Sequence, residues 1–116
     1  MPVVHIHSLD APDDAVSFGE KGSAQFVTIG DTMVIRSVLE PGWSWDEFVK
    51  PDAGTDSCQL DHTEYVISGR IRYLMDDSSE YVGTSGDFLV IEPGHRAFVE
   101  GDETCVLLDW MSGIEE

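Results

Sequence analysis

A chain of 116 residues fits one domain and leaves no room for two independent cores. Its 23 Asp and Glu against six Lys and Arg give a net charge of −17, which repels phosphate backbones and anionic headgroups and so excludes nucleic acid and membrane surfaces as partners. The hydrophobic fraction of 41% is that of a globular protein, no apolar run reaches membrane-span length, and the opening MPVVHIHSLD lacks a signal-peptide pattern, so the cytoplasm is the expected location.

Short β-favouring runs alternate with turn signals from end to end. VVHIH gives way to DAPDDA, AQFVTI meets Gly30-Asp31, TMVIRSVL stops at Pro41-Gly42, and WSWDEFV ends in KPDAGTD. HTEYVIS then closes at Gly69, RIRYLM at Asp76-Asp77-Ser78-Ser79, EYV at Gly83, DFLVI at Pro93-Gly94 and HRAFVE at Gly101-Asp102, with TCVLLDW last. These runs have the Val, Ile, Tyr, Phe and Trp content and the spacing of an all-β sandwich or barrel. Only residues 10–20 offer room for a short helix, with Pro12 in its first turn. About ten strands in one small domain must close a barrel or stack two sheets to hide their edges. The Cys–Trp–Cys spacing of an immunoglobulin-like sandwich is absent. A jelly roll or another small β-barrel spanning residues 1–116 is the expectation.

Two stretches, DSCQLDHTEYVISGRIRYLMDD and SGDFLVIEPGHRAFVEGDE, make the sequence resemble a small single-domain cupin of the RmlC-like jelly-roll superfamily. Motif one falls over about 54–69 and motif two over about 86–97. The resemblance implies the double-stranded β-helix of those proteins. Cupin motif one reads His-x-His, three or four residues, Glu, six residues, Gly; motif two reads Gly, five residues, Pro-x-Gly, two residues, His. Here the ligand positions carry other residues. Counting back from Gly69, the Glu position holds His62 and the two His positions hold Asp56 and Cys58. Aligning motif two on Gly94 puts Ala97 at its His position, with His95 two residues earlier. The chain looks like a divergent subgroup with Cys and His in place of the usual set, a likeness carried by Gly54–Gln59, His62–Val66 and Pro93–His95; Arg96 departs from the acidic residue that often follows in that subgroup.

On a strand, alternate side chains share a face, so Asp56, Cys58 and His62 fall together and His95 shares the parity of Ala97. Thiolate and imidazole suit zinc or ferrous iron, which makes Cys58, His62 and His95 the candidate metal ligands. His62 is also the candidate catalytic residue, as ligand or general base. Competing readings are a neutral core histidine at His62, a packed thiol at Cys58, a turn-stabilising role for His95 and a turn residue at Asp56. Residues four apart on one strand lie about 13 Å apart, so a direct Cys58–His62 hydrogen bond is not expected, and shared coordination requires a bend or bulge.

Cys105 reads as a small buried hydrophobe, and both cysteines as reduced. His5 and His7 spell His-x-His on the first predicted strand, but no acidic ligand follows at useful spacing; that strand reads as a surface or dimer edge. Trp43 and Trp45 with Glu47 beside them, and Tyr73 with Met75, are candidate walls of a ligand pocket. The competing reading makes those rings the core itself. Arg70, Arg72 and Arg96, the cations near the motifs, read as surface residues. What the resemblance implies is a homodimeric small-molecule-binding cupin with a divalent metal in its barrel, acting as a dioxygenase, isomerase or lyase on a small organic substrate. The alternative is a metal-free ligand-binding or sensor cupin.

Overall fold

The tightest turns in the sequence set the strand order. Ile29 pairs with Thr32 across Gly30-Asp31, where Gly30 takes φ +61°, and the two strands it joins, β2 (Gly22–Ile29) and β3 (Thr32–Leu39), stay in register over all eight residues. The computed structural model describes residues 2–112. Before β2 lie β1 (Asp14–Ser17) and a 3-10 turn at Gly19–Lys21. After β3 come two single helical turns, α1 (Trp45–Phe48) and α2 (Lys50–Ala53). The strands β4 (His62–Ser68), β5 (Arg70–Met75), β6 (Glu80–Thr84), β7 (Phe88–Ile91), β8 (His95–Val99) and β9 (Cys105–Ser112) follow. Among the described residues the nine strands form two antiparallel sheets, ordered β1-β2-β3-β9-β4-β7 and β6-β5-β8.

The sheets pack through the alternate residues that face inward. Val66 on β4 and Cys105 and Leu107 on β9 meet Ile71 on β5 and Val99 on β8, with Leu39 closing the end of β3. Each fully buried aliphatic side chain of this kind stabilises the fold by about 1.5–3 kcal/mol. Gly69 alone separates β4 from β5 and carries the chain from one sheet to the other. The register of β4 against β9 shifts between Val66 and Ser68, a bulge that prepares this turn.

Three expectations change. VVHIH forms no strand: residues 2–8 have no regular structure, and Val3, Val4 and Ile6 are 69%, 82% and 85% exposed, so His5 and His7 lie on no sheet. WSWDEFV is not a strand beyond an isolated bridge at Ser44. Ser44 caps α1 by accepting a hydrogen bond from the Glu47 amide at 3.2 Å, the Ser-x-x-Glu spacing of a capping box, and Asp46 and Glu47 suit the positive end of the turn. Residues 10–20 hold β1 and the 3-10 turn rather than an α-helix. No helix among the described residues is long and apolar enough to cross a membrane.

Gly69 takes φ +78°, and a Cβ there would stand 2.6 Å from the Cys105 Cα and 2.7 Å from the Thr104 carbonyl oxygen. Neither backbone atom can give way cheaply. Gly69→Ala is expected to destabilise by about 1–3 kcal/mol, read as a lower urea midpoint. Gly86→Ala is the control: φ is +95° but nothing lies within 4 Å, so only backbone strain is added and the loss is smaller.

Candidate metal centre and cavity

The site is assembled by a strand-like pairing that sequence spacing hides. Cys58 lies outside β4. It pairs with His95 as an isolated antiparallel bridge, its amide donating to the His95 carbonyl at 2.7 Å and its own carbonyl accepting from the amides of Gly94 (2.7 Å) and His95 (3.3 Å). Residues 59–61 then loop outward, leaving Leu60 55% exposed, before β4 begins at His62. The expected 13 Å gap is therefore absent. Cys58 Sγ stands 3.6 Å from His62 Nε2, and Cys58, His62 and His95 offer ligand atoms all within 4.8 Å of one another. The imidazoles of His62 and His95 meet edge-on with centroids 5.0 Å apart. Asp56 does not join them: its side chain is fully solvent-exposed, 3.9 Å from Lys50 Nζ.

Each imidazole is oriented from behind. His95 Nδ1–H donates to the Glu92 carbonyl at 2.7 Å, so Nε2 is the nitrogen left to face Cys58 or an ion. His62 Nδ1 faces Asp109 Oδ1 at 3.4 Å; this is ion-pair distance, although neither atom is aligned for a hydrogen bond. Asp109 sits opposite Glu64 in the β4–β9 register, and Tyr73 OH donates to Glu64 Oε1 at 2.5 Å. Glu64 and Asp109 are only 2% and 5% exposed.

These surroundings move protons. Burial works to raise the Cys58 thiol, but hydrogen bonds from the His62 and His95 imidazoles outweigh it and bring it from 9.0 down to about 6. Burial works to lower His62, while Asp109 and Cys58 raise it from 6.5 to about 10. Without a metal the pair is thus a thiolate and an imidazolium at neutral pH. Glu64 is pushed up to about 9 by burial and by the charge of Asp109, so it stays protonated. Tyr73 is raised well above its ordinary range, first by burial and then by Glu64. Burial pushes Cys105 to about 12; it packs as an inert thiol in the core.

The donor set suits a borderline-soft ion. One thiol primed to ionise and two imidazoles, each held by a group behind it, are the zinc or ferrous-iron chemistry of three-ligand sites that keep an open position. Above them lies a cavity of about 210 Å³ whose lining includes Trp43, Trp45, Tyr73, Cys58, His62 and His95. Two expected wall residues are elsewhere. Glu47 is exposed on α1, turned out by the helical turn that replaced the predicted strand. Met75 lines, with Tyr73 and Tyr81, a separate depression bounded by β7. Sequence reasoning missed Glu64 and Asp109; both are carboxyl side chains at inward-facing positions, in the rows His62–Glu64–Val66 and Cys105–Leu107–Asp109, and that placement was the available signal.

Glu64 binds a proton in the fold that it loses in the unfolded chain between pH 4.5 and about 9, so its contribution to stability is full below 4.5 and declines as pH rises through that window. Glu64→Gln keeps an oxygen for Tyr73 and replaces the proton with an amide. Urea midpoints compared at about pH 6 and about pH 8 should fall with pH in the parent and fall less in the variant.

No model of a known protein family matches the sequence, and no curated protein matches it significantly. Solved structures do. An RmlC-like cupin from Shewanella frigidimarina is 17% identical and covers 98% of this chain and 95% of its own, with a TM-score of 0.63. A cupin-2 domain from Rhodospirillum rubrum is 13% identical over 100% of this chain and 79% of its own, with a TM-score of 0.66. A protein with a double-stranded β-helix domain from Klebsiella pneumoniae is 22% identical over 92% of this chain and 83% of its own, with a TM-score of 0.63. At such identities the likeness speaks to architecture alone, and the two antiparallel sheets closing on a lined cavity are, on that measure, a cupin fold.

Proposed function

We propose that the protein is a metal-dependent cupin that binds a small molecule in its cavity, with zinc or ferrous iron held by Cys58, His62 and His95. The observation that carries this reading is the convergence of one thiol and two imidazoles within 4.8 Å at the cavity floor. With Nε2 on the metal and Nδ1 facing Asp109, His62 acts as a ligand rather than a free base. Glu64, kept protonated beside Tyr73, is the group that holds a movable proton near the floor. A bound divalent ion would supply Lewis-acid polarisation of a carbonyl or hydroxyl, as isomerase and lyase chemistry require, and ferrous iron would add the redox capacity of a dioxygenase. The competing reading is a metal-free binding module; the thiolate–imidazolium pair favours it, because that pair keeps the floor charge-matched with no ion present. A thiolate ligand persists where thiols stay reduced, and the cytoplasm is the location we propose.

Metal analysis of untagged protein separates the two readings. Near one equivalent of zinc or iron is expected, and less than about a tenth of an equivalent after reconstitution removes the metal reading. Cobalt substitution gives a thiolate-to-metal absorption band that Cys58→Ser should abolish, while His62→Ala or His95→Ala should weaken cobalt affinity by about tenfold or more.

We also propose a homodimer formed through β7. Phe88 and Val90 on this edge strand are 71% and 80% exposed, and the Phe88 ring lies 4.6 Å from Tyr65 and 6.3 Å from Trp110, making one apolar strip. Sedimentation at micromolar concentration should give twice the 12.8 kDa chain mass, and Val90→Lys should return it to one. A monomeric parent rejects the dimer.

A further inference from the structure

The placement of every Lys and Arg in the chain bears on what the cavity can hold. The sequence has six Lys and Arg, and all six lie among the described residues. Lys21 Nζ donates to the Pro41 carbonyl at 3.2 Å and Arg36 pairs with Asp10 at 3.0 Å. Lys50 lies 3.9 Å from Asp56, Arg70 pairs with Glu100 at 3.2 Å, Arg72 bonds both Glu80 and Glu100, and Arg96 pairs with Asp46 at 2.8 Å. None of them lines the cavity. Two carboxyl groups do, those of Glu64 and Asp109, together with the Cys58 thiol.

We propose that the ligand of this cavity is a neutral, single-ring-sized apolar molecule bearing one coordinating oxygen or nitrogen, and not an organic acid. The inference rests on the metal reading above and sharpens its substrate class. A divalent ion brings two positive charges, and the Cys58 thiolate that coordinates it and the Asp109 carboxylate behind His62 already answer them, with the Glu64 carboxyl also in the lining. A carboxylate ligand would bring a further charge with no Lys or Arg to receive it, inside walls made largely of Phe18, Trp43, Trp45, Leu39, Ile71 and Leu107. The surface charge of −17 opposes its entry as well. Volume sets the rest: about 210 Å³ is below the range of drug-sized sites, so the ring is small and the walls match its faces.

Benzamide and benzoate differ in charge and hardly in shape, and Trp43 and Trp45 in the wall report binding by fluorescence. The experiment titrates both into zinc-loaded protein, with zinc content measured separately, and into zinc-free protein. Benzamide is expected to bind about tenfold or more tighter than benzoate in the zinc-loaded form, with the same order in the zinc-free form. Benzoate binding as tightly as benzamide to zinc-loaded protein overturns the neutral-ligand inference and leaves the metal reading standing on its zinc content. A protein that takes up no zinc but still prefers benzamide loses the metal reading and keeps the neutral preference. If neither molecule changes the fluorescence at millimolar concentration, the neutral single-ring class is overturned.

Discussion

The candidate centre depends on the backbone pairing of Cys58 with His95. Without it, the thiol would sit on a loop with nothing to fix its distance from either imidazole. The pairing is itself clamped by Asp76, whose carboxylate accepts from Ser57 Oγ at 3.0 Å while its amide donates to the Gly94 carbonyl at 2.8 Å. One residue just past the end of β5 thus ties the segment before Cys58 to the turn before His95. Gly94 has φ +95°, and a Cβ there would come 2.8 Å from Asp76 Oδ2, so glycine is needed both for the backbone angle and for this approach. Ser57 is 4% exposed, and its hydroxyl also accepts from Gln59 Nε2 at 3.0 Å, which holds the outward loop in place. Ser57, Asp76 and Gly94 hold the protein ends of the site without being ligands.

How far this could be read from sequence follows from which constraints are local. The turns at Gly30-Asp31, Gly69 and Pro93-Gly94 announce themselves because their residues are the ones a tight turn needs, and the β-favouring runs between them yield the two-sheet architecture. Ligand geometry is different. Alternation along a single extended strand places Asp56, Cys58 and His62 on one face, but the chain leaves extended geometry at residues 59–61, so that rule fails where the site is made. Partner choice across a sheet is equally invisible: Asp109 stands opposite Glu64 because β9 inserts between β3 and β4, an order that no local pattern specifies. Another local signal was Ser44 three residues before Glu47, which marks a helical turn and removes Glu47 from the wall.

The floor also explains itself as a balance of protons. In the fold at neutral pH, the Cys58 proton has in effect moved to His62. Cys58, lowered to about 6, contributes stability that is full above 9.0 and lost as pH falls through about 6. His62, raised to about 10, contributes stability that is full below 6.5 and lost as pH rises through about 10. Across the shared window from 6.5 to 9.0 the two slopes oppose each other, since folding removes a proton from one group and adds it to the other. The pair is therefore nearly silent in stability against pH, and Glu64 is left to set the trend.

In the metal-bound state proposed above, the same arrangement would receive a cation. A thiolate already formed needs no deprotonation to become a ligand, so the proton that an arriving metal must displace is the one on His62. Asp109, which raises His62 in the metal-free protein, faces its Nδ1, the nitrogen that keeps a proton when Nε2 coordinates. One carboxylate would thus serve both states: it stabilises the imidazolium before binding and would strengthen the imidazole as a donor afterwards. Glu64 sits on the far side of Asp109, and because it stays protonated the carboxyl pair carries one negative charge rather than two. A second ionised carboxylate there would turn a floor matched to a divalent ion into one with surplus negative charge in an apolar enclosure. Burial and the neighbouring Asp109 charge, which raise Glu64, keep that charge out.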